Sequence, residues 1–205
     1  MARLRLMRLI LIRHGETDSN VNRQLDTAHP GAPLNETGLA QAEALVEAIA
    51  DEKIDVLYAS TLIRAQQTAA PLAEARGLEP IIVDGIHEIA AGVEEMNTDW
   101  TAYVGILNTW HPENMDIGLE GGETAREFMT RFSNAVAAME QAGDDHVALV
   151  SHGAALRVWA IWQDPEFGFD NAPPLKNTQW IVLNGSTADG WRIERWGDFT
   201  VAATN

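Results

Sequence analysis

The chain has no cysteine among its 205 residues, which excludes disulfides, thiolate catalysis and cysteine-ligated zinc and leaves its redox compartment open. It also lacks a long apolar run. A membrane span needs roughly 20 uninterrupted apolar residues, and charges break every candidate well short of that. Cations are scarce: 14 Lys and Arg stand against 30 Asp and Glu, a formal net charge of −16. A field of that sign repels nucleic acid and anionic membrane, so neither is an expected partner. A small anionic substrate then requires a few cations gathered in one cleft, where they prevail locally. Internal repeats, low-complexity tracts and Gly/Ser- or Pro-rich linkers are missing as well. With 46% hydrophobic content, the length suits one core rather than two, and the reading is a single domain over 1–205.

The opening segment MARLRLMRLILIRHGET imitates a basic n-region followed by an apolar patch. Arg5, Arg8 and Arg13 interrupt it, and no small-residue cleavage site follows, so it reads as a strand of a cytoplasmic protein rather than as a signal peptide.

What is present is alternation. An apolar run over Arg8 to Ile12 leads into a polar loop, and then Leu39, Ala42, Leu45, Val46 and Ile49 recur at helical spacing. Asp55 to Ala59 reads as a buried strand, Leu62 to Arg76 as a helix closed by Gly77, and Ile81 to Val83 as a third strand. Thr124 and Glu127 have capping-box spacing and open a helix that stops near Gly143. His146 to Val150 is another strand, Ala154 to Trp162 another helix, and Gln179 to Leu183 and Trp191 to Trp196 are two late strands around the turn-rich NGSTADG. Strands alternating with helices predict a three-layer α/β/α sandwich with a mostly parallel central sheet, and the late pair predicts an antiparallel edge.

Two apolar runs more than a hundred positions apart each stop at His-Gly: LILIRHGET from Leu9 and VALVSHGAA from Val147. In open α/β sheets ligands bind beyond the carboxyl ends of the strands. If the two strands are neighbours, His14 and His152 face one cleft, and each following glycine admits close backbone approach. Arg64 falls in the first turn of the helix after the Asp55 strand, where it opposes the helix dipole and calls for an anionic partner. The third strand leads to Glu88 at a comparable height. The strand ends thus collect Arg13, His14, Arg64, Glu88 and His152.

Those groups suit a phosphate ester. A guanidinium fork matches two phosphate oxygens at once. A neutral imidazole can attack phosphorus and divide one slow displacement into two easier ones. A carboxyl beside a phosphate dianion holds its proton more tightly, which suits Glu88 as the general acid for the leaving alkoxide.

In this order the motifs resemble the histidine phosphatase superfamily, in its phosphoglycerate mutase-like branch. LIRHGETDSN resembles the opening motif, YASTLIRAQQTA the second, EIAAG the acid-bearing segment, GGET the start of a later helix and VSHGAALR the closing motif. The resemblance spans most of the chain. It implies His14 as nucleophile, Glu88 as proton donor, Arg13, Arg64 and His152 as phosphate ligands, Asn20 as a further phosphate contact, and no metal or cofactor. One departure stands out: Arg23 arrives a residue earlier than the family's second arginine, and LDTAHPGAPL replaces the usual Gly-x-x-Asp-Pro-Leu pattern. Arg23 is nevertheless a candidate for the substrate pocket.

A mutase acting on phosphoglycerate must also bind a carboxylate and a second phosphate. Between Arg76 and Arg126 there is no lysine or arginine, whereas Glu94, Glu95, Asp99, Glu113, Asp116 and Glu120 lie there. The chain is also short beside the cofactor-dependent mutases it resembles and is expected to lack their longer lid and tail. The expected activity is therefore hydrolysis of a small-molecule phosphomonoester through a phosphohistidine. Phosphoglycerate mutase and a phospho-ligand binding module without turnover are the alternatives. A module would lose the nucleophile or the acid first, and both are retained.

Other assignments stay open at this level. Trp100, Tyr103, Leu107 and Trp110 recur at helical spacing and read either as an aromatic face over the leaving group or as plain core. Glu16 and Glu123 compete with Glu88; the first reads as a loop anchor and the second as serving the helix it precedes. His29, His87, His111 and His146 read as loop or surface residues, none paired at the spacing of a helical zinc site. Arg157 reads as a solvated or structural charge. The C-terminal strands offer an edge on which two copies could pair into a homodimer.

Overall fold

Both faces of the strand Met7–Arg13, β1, are buried: Leu9 and Leu11 lie in one apolar cluster, Ile10 and Ile12 in another. Side chains alternate across a strand, so a continuous apolar run is what a strand covered on both sides requires. The computed structural model describes residues 6–201, and the first five residues of the basic N-terminal segment lie outside the described residues. After β1 come the single turn α1 (Asp18–Val21), α2 (Glu36–Ala48), β2 (Val56–Ser60), α3 (Ile63–Arg76) and β3 (Ile81–Val83). The second half holds α4 (Thr101–Thr109), α5 (Ala125–Ala142), β4 (His146–Ser151), α6 (Gly153–Gln163), β5 (Trp180–Ser186), β6 (Gly190–Trp196) and β7 (Phe199–Thr200).

The seven strands form one sheet in the order β3-β2-β4-β1-β5-β6-β7. β1 lies parallel to β4, with Leu11 opposite Leu149 and Arg13 opposite Ser151, and β2 lies parallel to β4 and β3. β5 runs antiparallel to β1, and β6 and β7 continue as antiparallel neighbours. The sandwich is therefore mostly parallel with an antiparallel edge, as expected. Phe128, Phe132 and Val136 of α5 and Leu156 and Trp159 of α6 cover one face. Leu45 and Ile49 with Ala65, Ala69 and Leu72 of α3 cover the other.

The capping box forms as read: Thr124 accepts from the Glu127 amide, Glu127 reaches back to the Thr124 amide, and left-handed Gly143 closes the helix. Two local expectations differ. Leu39 is 49% exposed, and the buried stripe of α2 runs instead through Gly38, Ala42, Leu45 and Ile49. A Cβ on Gly38 would stand 2.0 Å from the Glu16 carbonyl oxygen, so close docking on the loop after β1 sets the rotation of this helix. The turn expected within Asn184–Gly190 forms but is confined to Thr187–Asp189, because β5 continues to Ser186 and β6 begins at Gly190. A Cβ on Gly185 would meet the Gly190 carbonyl at 2.2 Å, so this glycine serves strand approach. The two-residue β7 at the sheet edge was too short to be read from periodicity.

Candidate active site

The parallel pairing of β1 and β4 carries past their ends, where the His14 amide donates to the Ser151 carbonyl at 3.0 Å. That register sets the two imidazoles side by side, with ring centroids 5.2 Å apart and planes at 54°. His14 Nδ1 lies 2.6 Å from the Gly15 carbonyl, which accepts its proton, while Arg64 Nε donates to His14 Nε2 at 3.2 Å. Both partners demand the same tautomer, with hydrogen on Nδ1 and a lone pair on Nε2. Burial, and then the Arg64 charge, push the pKa of both rings well below the ordinary histidine value, so both are neutral near pH 7.

His152 Nε2 lies 2.8 Å from Ser60 Oγ, which itself accepts from the Leu62 amide at 3.3 Å. The serine hydrogen is then available to Nε2, an arrangement that puts the ring proton on Nδ1. Nδ1 is buried and has no hydrogen-bond partner. Two cationic atoms share that condition, Arg13 Nε and Arg64 Nη1. Arg13 donates through Nη1 to the Leu175 carbonyl and lies against Gly153, where a Cβ would stand 3.2 Å from its Nε. Arg64 donates through Nη2 to the Asp26 carbonyl at 2.7 Å, and its Nη1 is 3.6 Å from the Asp26 carboxylate. Buried donors without acceptors are costly, and Arg13 from the end of β1, Arg64 from α3 and His152 after β4 bring three of them to the surroundings of His14, a donor set suited to a tetrahedral anion. Arg13, Arg64 and Arg157 stand on the cavity lining against Asp26 and Glu88, so the local balance is cationic although the chain as a whole is strongly acidic.

Asn20 also lines the cavity. Its Oδ1 accepts from the Thr17 amide at 3.2 Å and from Asn177 Nδ2 at 3.1 Å, which leaves its own Nδ2 as a donor. Glu88 sits at the N-terminus of α6, where its carboxylate accepts from the amides of Ala154 and Ala155 at 3.1 and 2.8 Å and from its neighbour Ile89 at 2.9 Å. The structure thus brings Arg13, His14, Asn20, Arg64 and Glu88 to the lining of one cavity of about 240 Å³, with His152 buried behind it against the His14 ring.

The competing carboxylates go elsewhere. Glu16 accepts from Asn35 Nδ2 at 3.0 Å and anchors the loop before α2. Glu123 does not serve the N-terminus of its own helix, which Thr124 and Glu127 cap. It pairs with Arg131 through two bonds of 2.6 and 2.7 Å and accepts from the Ala90 amide at 2.9 Å. Arg131 then donates to the carbonyls of Gly85, His87 and Glu88. Glu123 and Arg131 therefore hold the acid-bearing loop from both sides of Glu88. Their sequence signal was weak, because eight positions separate a loop carboxylate from an arginine two turns into α5.

The aromatic stripe divides. Trp100, Tyr103 and Leu107 line the cavity, whereas Trp110 stacks on Phe128 in the core. Tyr103 donates to the Ile89 carbonyl at 3.0 Å, and burial raises its pKa well above the ordinary value. Arg23 is not brought in. Its side chain is exposed and absent from the cavity lining, and it is the Arg23 carbonyl that is used, accepting from Trp100 Nε1 at 2.7 Å. The altered loop enters instead through Leu25 and Asp26. Arg157 is a half-buried wall residue whose Nε donates to the Ala172 carbonyl at 2.6 Å. His29 and His111 are exposed, His87 is half-buried beside Asp84, and His146 pairs with Asp55 at 2.8 Å.

Three further contributors escaped sequence reasoning. Ser60 holds His152, Asn177 donates to the His14 carbonyl at 3.0 Å, and Thr68 accepts from the Gly15 amide at 2.9 Å. Thr68 had a signal, since it follows Arg64 by four positions and so shares its face of α3.

The chain belongs to the histidine phosphatase superfamily, branch 1, whose model matches residues 9–199. Phosphoserine phosphatase 1 of Hydrogenobacter thermophilus is 32% identical over 188 residues, covering 82% of this chain and 84% of that protein. PE-PGRS family protein PE_PGRS11 of Mycobacterium tuberculosis is 30% identical over 216 residues and covers 93% of this chain, which spans 36% of that longer protein. A solved structure of a mycobacterial glucosyl-3-phosphoglycerate phosphatase superposes with a TM-score of 0.78 at 24% identity, covering 94% of this chain and 99% of that one. Both phosphatases and phosphoglycerate mutase-like proteins occur among the relatives. Among the described residues no helix is long and apolar enough to cross a membrane.

Proposed function

We propose that this protein hydrolyses a small-molecule phosphomonoester through a phosphohistidine on His14, without metal or cofactor. The observation that carries this reading is the lone pair on His14 Nε2, held there by the Gly15 carbonyl on one ring nitrogen and Arg64 on the other. Arg13, Arg64, Asn20 and His152 supply donors to the phosphoryl oxygens. Nε2 attacks phosphorus in line, the ester P–O bond breaks, and the leaving alkoxide takes a proton from Glu88. Water then attacks the phosphohistidine, its proton passes to the Glu88 carboxylate, and the N–P bond breaks to release phosphate.

The test is turnover of para-nitrophenyl phosphate in EDTA, with rapid acid-free quenching to trap the intermediate. Turnover that persists in chelator, disappears in His14→Ala, and leaves an acid-labile phosphoryl group on residue 14 is the expected result. Phosphate binding without turnover across a broad ester panel would replace the enzyme with a binding module. Rapid isomerisation of 3-phosphoglycerate with a bisphosphoglycerate primer would make it a mutase.

A further inference from the structure

Granting the hydrolytic reading above, we infer that the organic group this cavity accepts beside the phosphate is an uncharged apolar body, an aromatic or branched aliphatic alcohol, rather than a sugar acid or a polyol. Beyond the phosphate cradle the walls come from four parts of the chain. Leu25 stands on the loop after β1, Trp100, Val104 and Leu107 lie on or beside α4, Val158 on α6, and Leu175 precedes β5. The Asp26 carboxylate and the Thr27 hydroxyl beside them are already engaged, and the Arg157 guanidinium is held through Nε. Asp26 holds Arg64, Ser19 and the Ala32 amide; Thr27 is bonded to Glu95 and Ala91; Arg157 donates through Nε to Ala172. The side-chain amides of Gln24 and Asn108 remain as neutral polar points on the lining.

These walls are fixed before anything binds. Trp100 Nε1 donates to the Arg23 carbonyl at 2.7 Å, and Tyr103 donates to the Ile89 carbonyl at 3.0 Å. Leu25 exchanges backbone bonds with the strap beneath α4, donating to Asn97 at 3.0 Å and accepting from Met96 at 2.8 Å. A preformed apolar wall gains from excluding water against an apolar ligand and loses when it must desolvate a carboxylate or several hydroxyls without partners. The covering segment reinforces the choice, because residues 77–125 contain acids and no lysine or arginine. A carboxylated leaving group would meet no new cation from that side.

The experiment separates binding from chemistry. Benzylphosphonate and 3-phosphonopropionate, neither hydrolysable, are titrated calorimetrically into the wild-type protein and into Val104→Lys, a substitution at a wall position that is 41% exposed and tolerates a longer side chain. Benzyl phosphate, glycerol 3-phosphate and 3-phosphoglycerate, all primary alkyl esters of similar intrinsic reactivity, are compared by kcat/KM. The expected result is at least tenfold tighter binding of benzylphosphonate, at least tenfold higher kcat/KM for benzyl phosphate, and a narrowing of both ratios in Val104→Lys. Equal or tighter binding of 3-phosphonopropionate by the wild type, or binding of neither phosphonate, overturns the inference. A tenfold binding preference with no turnover of any ester upholds the apolar wall and removes the hydrolytic reading alone.

Discussion

Arg64 Nε donates to His14 Nε2 across 3.2 Å. A guanidinium has donors only and keeps its charge, so this bond keeps Nε2 unprotonated until an anion draws the arginine away. In the proposed reaction one side chain thus sets the tautomer of the nucleophile and later neutralises the phosphoryl group. Lysine supplies a point charge but not the fork. In Arg64→Lys we expect kcat on para-nitrophenyl phosphate to fall by about 10²–10³, the usual loss for a transition-state donor. Steady-state kinetics decide it, and an unchanged kcat would remove Arg64 from the phosphoryl site.

On the proposed mechanism the Arg131–Glu123 pair acts through Glu88 rather than on substrate, since Arg131 holds the Glu88 carbonyl at 2.9 Å and Glu123 holds the Ala90 amide at 2.9 Å. Small misplacement of an acid is costly only when the leaving group needs a proton. Arg131→Lys should lower kcat for alkyl phosphates by roughly a hundredfold while barely changing that for para-nitrophenyl phosphate, whose phenolate leaves unaided. A uniform loss across both substrates would mark the pair as a fold constraint only.

His14 and His152 both have pKa values held well below the ordinary histidine value, first by burial and then by the Arg64 charge. In the unfolded chain they titrate near 6.5. Above that pH neither state takes a proton and their contribution to stability is complete. As the pH falls below it the unfolded chain binds protons that the folded one refuses, and stability declines by up to roughly 1.4 kcal/mol per pH unit for each ring. Urea unfolding at pH 7.5, 6.5 and 5.5 should show this decline, and His152→Gln should make it shallower. Parallel slopes in the two proteins would contradict the assignment.

One substitution should have opposite signs in two helices. Gly38→Ala in α2 places a methyl 2.0 Å from the Glu16 carbonyl oxygen, a backbone atom that cannot step aside, and should destabilise by about 1–3 kcal/mol. Gly105→Ala in α4 meets no atom within 4 Å and should stabilise by roughly 0.5–1 kcal/mol through helix propensity. Thermal unfolding of the two variants gives the comparison directly. Because Glu16 lies two residues after His14, Gly38→Ala should also lower activity.

The strand-to-helix boundaries were legible because each carries local chemistry. Gly77 and Gly143 end their helices in left-handed conformations, Thr124 and Glu127 cap a third, and the apolar run of β1 needs cover on both sides. The identities of the proposed phosphate ligands were legible for a related reason, since each ends or follows a strand or stands in the first turn of a helix. Arg23 shows where such reading fails. Its backbone takes a positive φ of 57°, which turns the exposed side chain away and offers the carbonyl to Trp100. Leu39 fails for a similar cause, because the rotation of α2 follows from the approach of Gly38 to Glu16 and not from the helix's own periodicity.

By itself, then, the order of residues determined the alternation of strands and helices, their caps, and which chemical groups sit at the strand ends, because those properties depend on neighbours a few positions away. Tertiary structure alone decided that His14 and His152 stand 5.2 Å apart, that Arg64 rather than solvent meets His14 Nε2, and that Arg131 holds Glu88. Those relations depend on sheet order and helix rotation. Both are set by packing between segments far apart in the chain, which no local pattern records.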